Sequence, residues 1–112
     1  MKGIKLNDSI RHIFKEAILD FKMGASRGNQ SALFHHSKFN HFLKLGEVPV
    51  SDLGYLYDFY KKQEKDLEGQ EDPRLAGLKS EVKYMINYMG SMYKITDDGN
   101  AVIMEAKEWF IF

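Results

Sequence analysis

Apolar residues recur along the first quarter of the chain with the spacing of an α-helix. Between residues 8 and 23 they fall at i, i+3, i+4, i+7, i+8 and i+11, one stripe of a helix with 3.6 residues per turn. These positions are Ile10, Ile13, Phe14, Ala17, Ile18 and Phe21. Asn7 or Asp8 can accept hydrogen bonds from the first free amides, and Gly24 is suited to end the helix. The pattern therefore predicts an amphipathic helix over residues 8–23.

The pattern continues into a second and a third helical segment. Residues 29–45 predict either one bent helix or two short helices broken near Ser37, with Gly46 closing the segment. Ser51 can cap a third helix, because its hydroxyl can accept from the amides of the first turn. The far end of that helix enters a charged connection over about residues 61–72.

A further helix is predicted over residues 73–89. Asp72 can cap it, and Pro73 suits its first position because the missing amide would have no partner there. Its apolar residues alternate at spacings of three and four, and they are Leu75, Leu78, Val82, Met85 and Met89. This spacing favours a helix that faces the core, and a homodimer through the helix 73–89 is the alternative.

The tail allows two structures. In the first, residues 93–96 and 101–104 are strands joined by the turn 97–100, which contains the Asp-Gly pair typical of hairpins. In the second, Thr96 or Asp98 caps a last helix, which the helix formers that follow favour. The residues that would share one face of this helix are Val102, Ala106, Trp109 and Phe110.

Together these elements predict a mainly α protein, a compact bundle of four to five helices with at most one short β-strand or hairpin near residues 92–104. A length of 112 residues suits a single domain, 1–112. The chain has no cysteine, and no apolar run approaches the roughly 20 residues that span a bilayer. We expect a cytoplasmic protein without a membrane partner.

Charge is balanced over the chain but divided unevenly along it. The 16 basic and 16 acidic residues cancel, yet residues 1–48 hold eight basic against four acidic residues, and residues 49–112 hold eight against twelve. The halves therefore carry about +4 and −4. The basic half can present a face to an anion, or the opposite charges can hold the halves together.

The sequence offers no frame for catalysis or for metal binding. His36 and His41 are five residues apart and His35 is adjacent to the first, whereas two histidines of a helix chelate a metal at i and i+4. No serine stands in a nucleophile motif, and no phosphate-binding glycine loop is present. We expect neither an enzyme nor a cofactor.

Two segments are similar to parts of DNA-binding regulators. Residues 37–60, SKFNHFLKLGEVPVSDLGYLYDFY, resemble the stretch of phage-repressor-type helix-turn-helix domains in which a recognition helix ends at glycine and a proline-containing loop leads to another helix. Within residues 75–109, the phrase YKITDDGNAV is similar to the Tyr-x-Ile/Leu-Thr-x-x-Gly step of winged-helix regulators, where threonine caps the last helix. The two resemblances imply different DNA-binding domains, and both alternatives stay open at this point.

The first resemblance implies a set of contacts with double-stranded DNA. Lys38 and Lys44 would neutralise phosphates, Asn40 would bond to adenine, and Arg27 would approach from the preceding loop. The exposed residues of the recognition helix would be Ser37, Lys38, Asn40, His41 and Lys44. They would lie opposite the inward-facing Phe39, Phe42 and Leu43, and the alternative is an ordinary polar helix face.

An abundance of aromatic residues supports a different function. Aromatic residues make up 13% of the chain, and aromatic side chains anchor protein interfaces. The rings predicted to bind a partner are Tyr57, Tyr60, Tyr84, Tyr88 and Trp109. The sequence thus predicts a small DNA-binding transcriptional regulator or, alternatively, a phage or mobile-element protein that binds and inhibits a host protein.

Overall fold

The computed structural model describes residues 3–97 and 102–106. The chain divides into two compact units, one formed by residues 3–49 and the other by the chain from residue 50 onward. We call them the hairpin unit and the helix–strand unit and describe each by itself. Within the described residues, four α-helices and a β-hairpin near residues 92–104 confirm the predicted mainly α fold, and the single domain stays a prediction.

Two antiparallel helices tied by a short strand pair make up the hairpin unit. Its elements are β1 (Ile4–Lys5), α1 (Asp8–Ser26), α2 (Gln30–Leu45) and β2 (Glu47–Val48). The strands pair with Ile4 opposite Val48 and Lys5 opposite Glu47, a pairing that the sequence did not predict. Gly3 precedes this pairing, and a Cβ atom there would overlap the backbone carbonyl of Val48. Only glycine therefore fits at that position without a shift of the strands.

Helix α1 begins where the sequence predicts and ends later. The side chain of Asn7 accepts a hydrogen bond from the amide of Ile10 at 2.7 Å, which caps the first turn. The predicted end at Gly24 is wrong, because α1 continues through this residue. Gly24 instead provides room for α2, since a Cβ atom there would lie 2.8 Å from the Cβ of Ala32. The turn takes its left-handed residue at Gly28, whose φ is 85°.

Helix α2 is one uninterrupted helix, so the break considered near Ser37 does not occur. The side chain of Asn29 caps its start by accepting from the amide of Ala32 at 3.1 Å. Its end is the predicted Gly46, which has a φ of 74° and donates its amide to the carbonyl of Phe42 at 2.9 Å. Both ends of α2 are therefore fixed by local hydrogen bonds.

Replacing Gly46 with alanine is expected to lower the free energy of unfolding by about 1 kcal/mol, because a side chain is disfavoured at positive φ. Replacing Gly77 with alanine is the control. Gly77 lies in a helix with open space around it, so the gain in helix propensity is expected to stabilise the protein by about 0.5–1 kcal/mol. Urea unfolding of both variants measures the difference, and shifts of the same sign would contradict the prediction.

Two helices and the β-hairpin form the helix–strand unit. Its elements are a 3-10 turn (Val50–Asp52), α3 (Leu53–Leu67), a second 3-10 turn (Pro73–Leu75), α4 (Ala76–Met92), β3 (Tyr93–Asp97) and β4 (Val102–Ala106). The predicted capping of α3 by Ser51 is wrong, because this residue lies inside the first 3-10 turn. Asp72 does cap the second turn, where its carboxylate accepts from the amide of Arg74 at 2.9 Å.

The apolar stripes of α3 and α4 form the core of this unit. Helix α3 contributes Leu53, Leu56 and Tyr60, and α4 contributes Val82, Met85 and Met89, all of which are buried. The core-facing interpretation of residues 73–89 is therefore supported. The three buried residues of α4 are not available for a homodimer seam along the same stripe.

The described part of the tail forms two paired strands, as in the first of the two predicted structures, rather than a last helix. Strands β3 and β4 pair antiparallel, with Tyr93 opposite Ala106 and Asp97 opposite Val102. The prediction of a last helix that is capped by Thr96 or Asp98 and includes Val102 and Ala106 is thus wrong, because Thr96, Val102 and Ala106 are in paired strands. Trp109, which that helix would have carried, lies outside the described residues.

Candidate nucleic-acid interface

The inner face of α2 is anchored by a cluster of phenylalanine rings. Phe39 is at the centre of the cluster, with its ring centroid 4.8 Å from that of Phe14 and 5.1 Å from that of Phe21 on α1. Phe42 lies 5.9 Å from Phe39, also by ring centroids. Phe39 and Phe42 are buried and Leu43 is half-buried, so α2 turns the predicted side inward. Ring packing along both helices fixes the side of α2 that remains outward.

The predicted nucleic-acid contacts differ in how far they are exposed. Ser37, His41 and Lys44 are exposed on α2, and their spacing of i, i+4 and i+7 places them on one stripe. Arg27 is exposed in the turn between the two helices. Lys38 and Asn40 are half-buried. The structure thus brings five of these residues to α2 and places Arg27 beyond the end of α1.

The half-buried Lys38 is held against an aromatic ring. Its ammonium nitrogen lies 5.9 Å from the ring centroid of Phe34, one turn earlier on α2, within the range of a cation–π interaction. Phe34 is 54% exposed. A positive charge and an exposed phenyl ring therefore share one part of the outer face.

Acidic residues are missing from a long segment that includes all of α2. No Asp or Glu occurs between Asp20 and Glu47, although acidic residues make up 16 of the 112 positions of the chain. Four cationic residues lie in this segment, and they are Lys22, Arg27, Lys38 and Lys44. No carboxylate on α2 therefore opposes the approach of an anion.

His35 has a packing role in the hairpin unit. Its ring centroid lies 5.4 Å from that of Phe21 and 5.7 Å from that of Phe34, and its Nε2 is 3.4 Å from the hydroxyl of Ser31. Among residues 3–97 and 102–106, no group of three or more potential metal ligands comes together. The ring contacts account for this histidine without a ligand.

The predicted partner-binding aromatics are only partly on the surface. Tyr60 is 2% exposed and so is not available to a partner, because it continues the buried stripe of α3. Burial of its hydroxyl raises the pKa of Tyr60, and the nearby Glu81 raises it further. Tyr57 and Tyr88 are half-buried, and Tyr84 is exposed with its ring stacked on that of Tyr88 at 6.1 Å between centroids.

Three exposed apolar residues beside the predicted contacts were not expected from the sequence. They are Leu33, Phe34 and Leu45, at 58%, 54% and 48% exposure. A signal for two of them was present in the spacing. Residues on the same helix face are three, four or seven positions apart. Leu33 and Phe34 precede the buried Phe39 by six and five positions, so they are not expected on its buried face.

No helix in the described part of the chain is long and apolar enough to cross a membrane. The resemblance to helix-turn-helix and winged-helix regulators stays a prediction. Comparison of the chain with protein-family models, with curated proteins and with solved structures finds no match in any of the three.

Proposed function

We propose that this protein is a small DNA-binding regulator that contacts DNA through the outer face of α2. The observation that carries the proposal is the segment without acidic residues from Phe21 to Gly46, in which α2 presents cations and hydrogen-bonding side chains outward. Phosphate neutralisation by lysine and arginine supplies most of the affinity of non-specific DNA binding. A surface that lacks carboxylates preserves that attraction even though the whole chain is neutral.

The polar side chains of this surface, three of them exposed and Asn40 half-buried, divide between phosphate and base contacts. Lys44 and Arg27 are exposed cations suited to phosphates, and the hydroxyl of Ser37 can donate to a phosphate oxygen. The amide of Asn40 has the donor and acceptor that bond bidentately to adenine. The major groove, about 12 Å wide, admits an α-helix, so α2 can bring these groups to the base edges.

Fluorescence anisotropy with a labelled duplex of mixed sequence tests the proposal. At low salt the wild-type protein is expected to bind at micromolar concentration, with an affinity that falls as salt is added. The double variant Arg27→Gln, Lys44→Gln removes two exposed cations. Its plot of log binding constant against log salt concentration is expected to be shallower by about 1.8, since each phosphate contact contributes about 0.9.

A matched variant separates this local effect from a change in net charge. Lys65 on α3 and Lys83 on α4 are exposed cations, so the double variant Lys65→Gln, Lys83→Gln removes two charges outside the proposed surface. Its binding constant and salt dependence are expected to equal those of the wild type. Absence of binding by the wild type at micromolar protein and low salt would rule the proposal out.

A second candidate function is the binding and inhibition of a host protein. The exposed Tyr84, stacked on the half-buried Tyr88, favours it, because aromatic side chains are typical interface anchors. This function predicts a stoichiometric complex with a host protein that Tyr84→Ala weakens and Arg27→Gln does not. A complex insensitive to Tyr84→Ala would contradict it.

A further inference from the structure

We infer that Leu33 makes α2 selective for adenine–thymine base pairs by packing on the methyl group of thymine in the major groove. This inference rests on the proposed function of α2 as a contact surface for duplex DNA and specifies the bases that it reads. The residues concerned follow one another at i, i+4, i+7 and i+11 and therefore lie along one stripe of α2. They are Leu33, Ser37, Asn40 and Lys44.

Leu33 is the apolar member of an otherwise polar stripe. It is 58% exposed, whereas Ala32 and Phe39 on the inner side of α2 are buried. Most of the stabilisation that an apolar side chain gives comes from its burial, and the hairpin unit buries less than half of this leucine. Its position one turn before Ser37 brings its methyl groups to the side of α2 that carries the predicted hydrogen-bonding groups.

The charges around Leu33 indicate the class of its partner. Residues 21–46 contain no carboxylate. Along the chain, Leu33 lies between two exposed cations, Arg27 in the turn before α2 and Lys44 near the end of α2. Such a surface attracts the phosphate backbone of nucleic acid. Duplex DNA presents that backbone together with methyl groups in its major groove, so it offers a contact to the leucine as well as to the cations.

Among the four DNA bases, thymine is the one whose major-groove edge carries a methyl group. Apolar side chains contact this methyl group, and the amide of the half-buried Asn40 can bond bidentately to adenine. Leu33 and Asn40 are seven residues apart, which corresponds to about 10 Å along a helix, or about three base-pair steps. The two side chains can therefore read different base pairs of one groove segment, and both favour adenine–thymine pairs.

Fluorescence anisotropy at low salt with two duplexes tests the inference. One duplex has an alternating adenine–thymine sequence, and the other carries deoxyuridine in place of every thymidine, which removes the methyl groups and keeps every hydrogen-bonding group of the base edges. Wild-type protein is expected to bind the thymine duplex about fourfold more tightly, the ratio that burial of one methyl-sized group gives. Leu33→Ala is expected to abolish this preference, and Leu33→Met is expected to keep it because methionine retains an apolar side chain of similar size.

Leu19→Ala is the matched control, because Leu19 is a leucine of α1 that is 59% exposed. It is expected to leave both Kd values unchanged. Asn40→Ala is expected to weaken binding to both duplexes alike, since both contain adenine. Because Leu33 is exposed, the urea midpoint of Leu33→Ala is expected to stay close to that of the wild type, and this measurement shows that the variant is folded.

The outcomes separate this inference from the proposed function. Equal binding of the two duplexes by the wild type, with the salt dependence expected for α2, would overturn the thymine contact and leave the DNA-binding surface standing. A preference for the thymine duplex that persists in Leu33→Ala would also overturn the contact. Failure of the wild type to bind either duplex at micromolar protein would overturn both the contact and the proposed function.

Discussion

Replacing Phe39 with alanine is expected to lower the free energy of unfolding by about 3–5 kcal/mol. Phe39 is fully buried, and its ring packs against those of Phe14 and Phe21 across the two helices of the hairpin. Removal of the ring loses its burial and leaves a cavity between helices that the remaining rings hold apart. Urea unfolding followed by circular dichroism measures the change.

Leu33→Ala on the same helix serves as the control for this prediction. Leu33 is mostly exposed, so its truncation is expected to cost no more than about 0.5 kcal/mol. Similar costs for the two variants would mean that Phe39 does not hold α1 and α2 together.

The second large effect is expected at alkaline pH. Burial raises the pKa of Tyr60, and the charges of Glu81 and Tyr55 raise it further, whereas a tyrosine in the unfolded chain ionises near pH 10. The unfolded state therefore releases a proton that the folded state retains. The stabilising contribution of Tyr60 is complete below about pH 10 and falls above it by about 1.4 kcal/mol per pH unit.

Unfolding free energies between pH 8 and pH 11, combined with the absorbance of tyrosinate at 295 nm, measure this effect. The native protein is expected to show fewer ionised tyrosines at pH 11 than the unfolded protein does. Tyr60→Phe removes the ionisable group, so its stability is expected to fall less steeply above pH 10. Identical slopes for Tyr60→Phe and the wild type would contradict the assignment.

The sequence predicted the helices well where local signals determine them. The stripe that starts at Ile10, the cap at Asn7 and the stop at Gly46 all appear as expected, because periodicity and capping act within a few residues. The end of α1 was misplaced because Gly24 has a role in tertiary packing. Its missing side chain accommodates Ala32, and no local rule distinguishes that role from helix termination.

The tail was the hardest segment to predict, because its local preferences conflict. The Asp-Gly pair at residues 98–99 predicts a hairpin, whereas Met104, Glu105 and Ala106 are good helix formers. Pairing with the strand that begins at Tyr93 decides between them, and hydrogen bonds between strands depend on the fold rather than on local propensity.

For the candidate site, the inward turn of Phe39 and Phe42 was predictable from their spacing, and so was the outward position of Ser37 and Lys44. Which aromatic rings stay on the surface was not. Tyr60 is covered because α4 packs against α3, and this contact cannot be read from the stripe of α3 alone.

The strand pair β1–β2 brings the two ends of the hairpin unit together. Because Ile4 pairs with Val48, the chain enters and leaves the two helices at adjacent points. A segment with neighbouring ends can be inserted into a surface loop of a host protein, or circularly permuted, without stretching the connections. The ends of residues 3–49 thus have the spacing that insertion into another protein requires. Gly3 must be kept in such an insertion, because a side chain there would overlap the backbone of Val48.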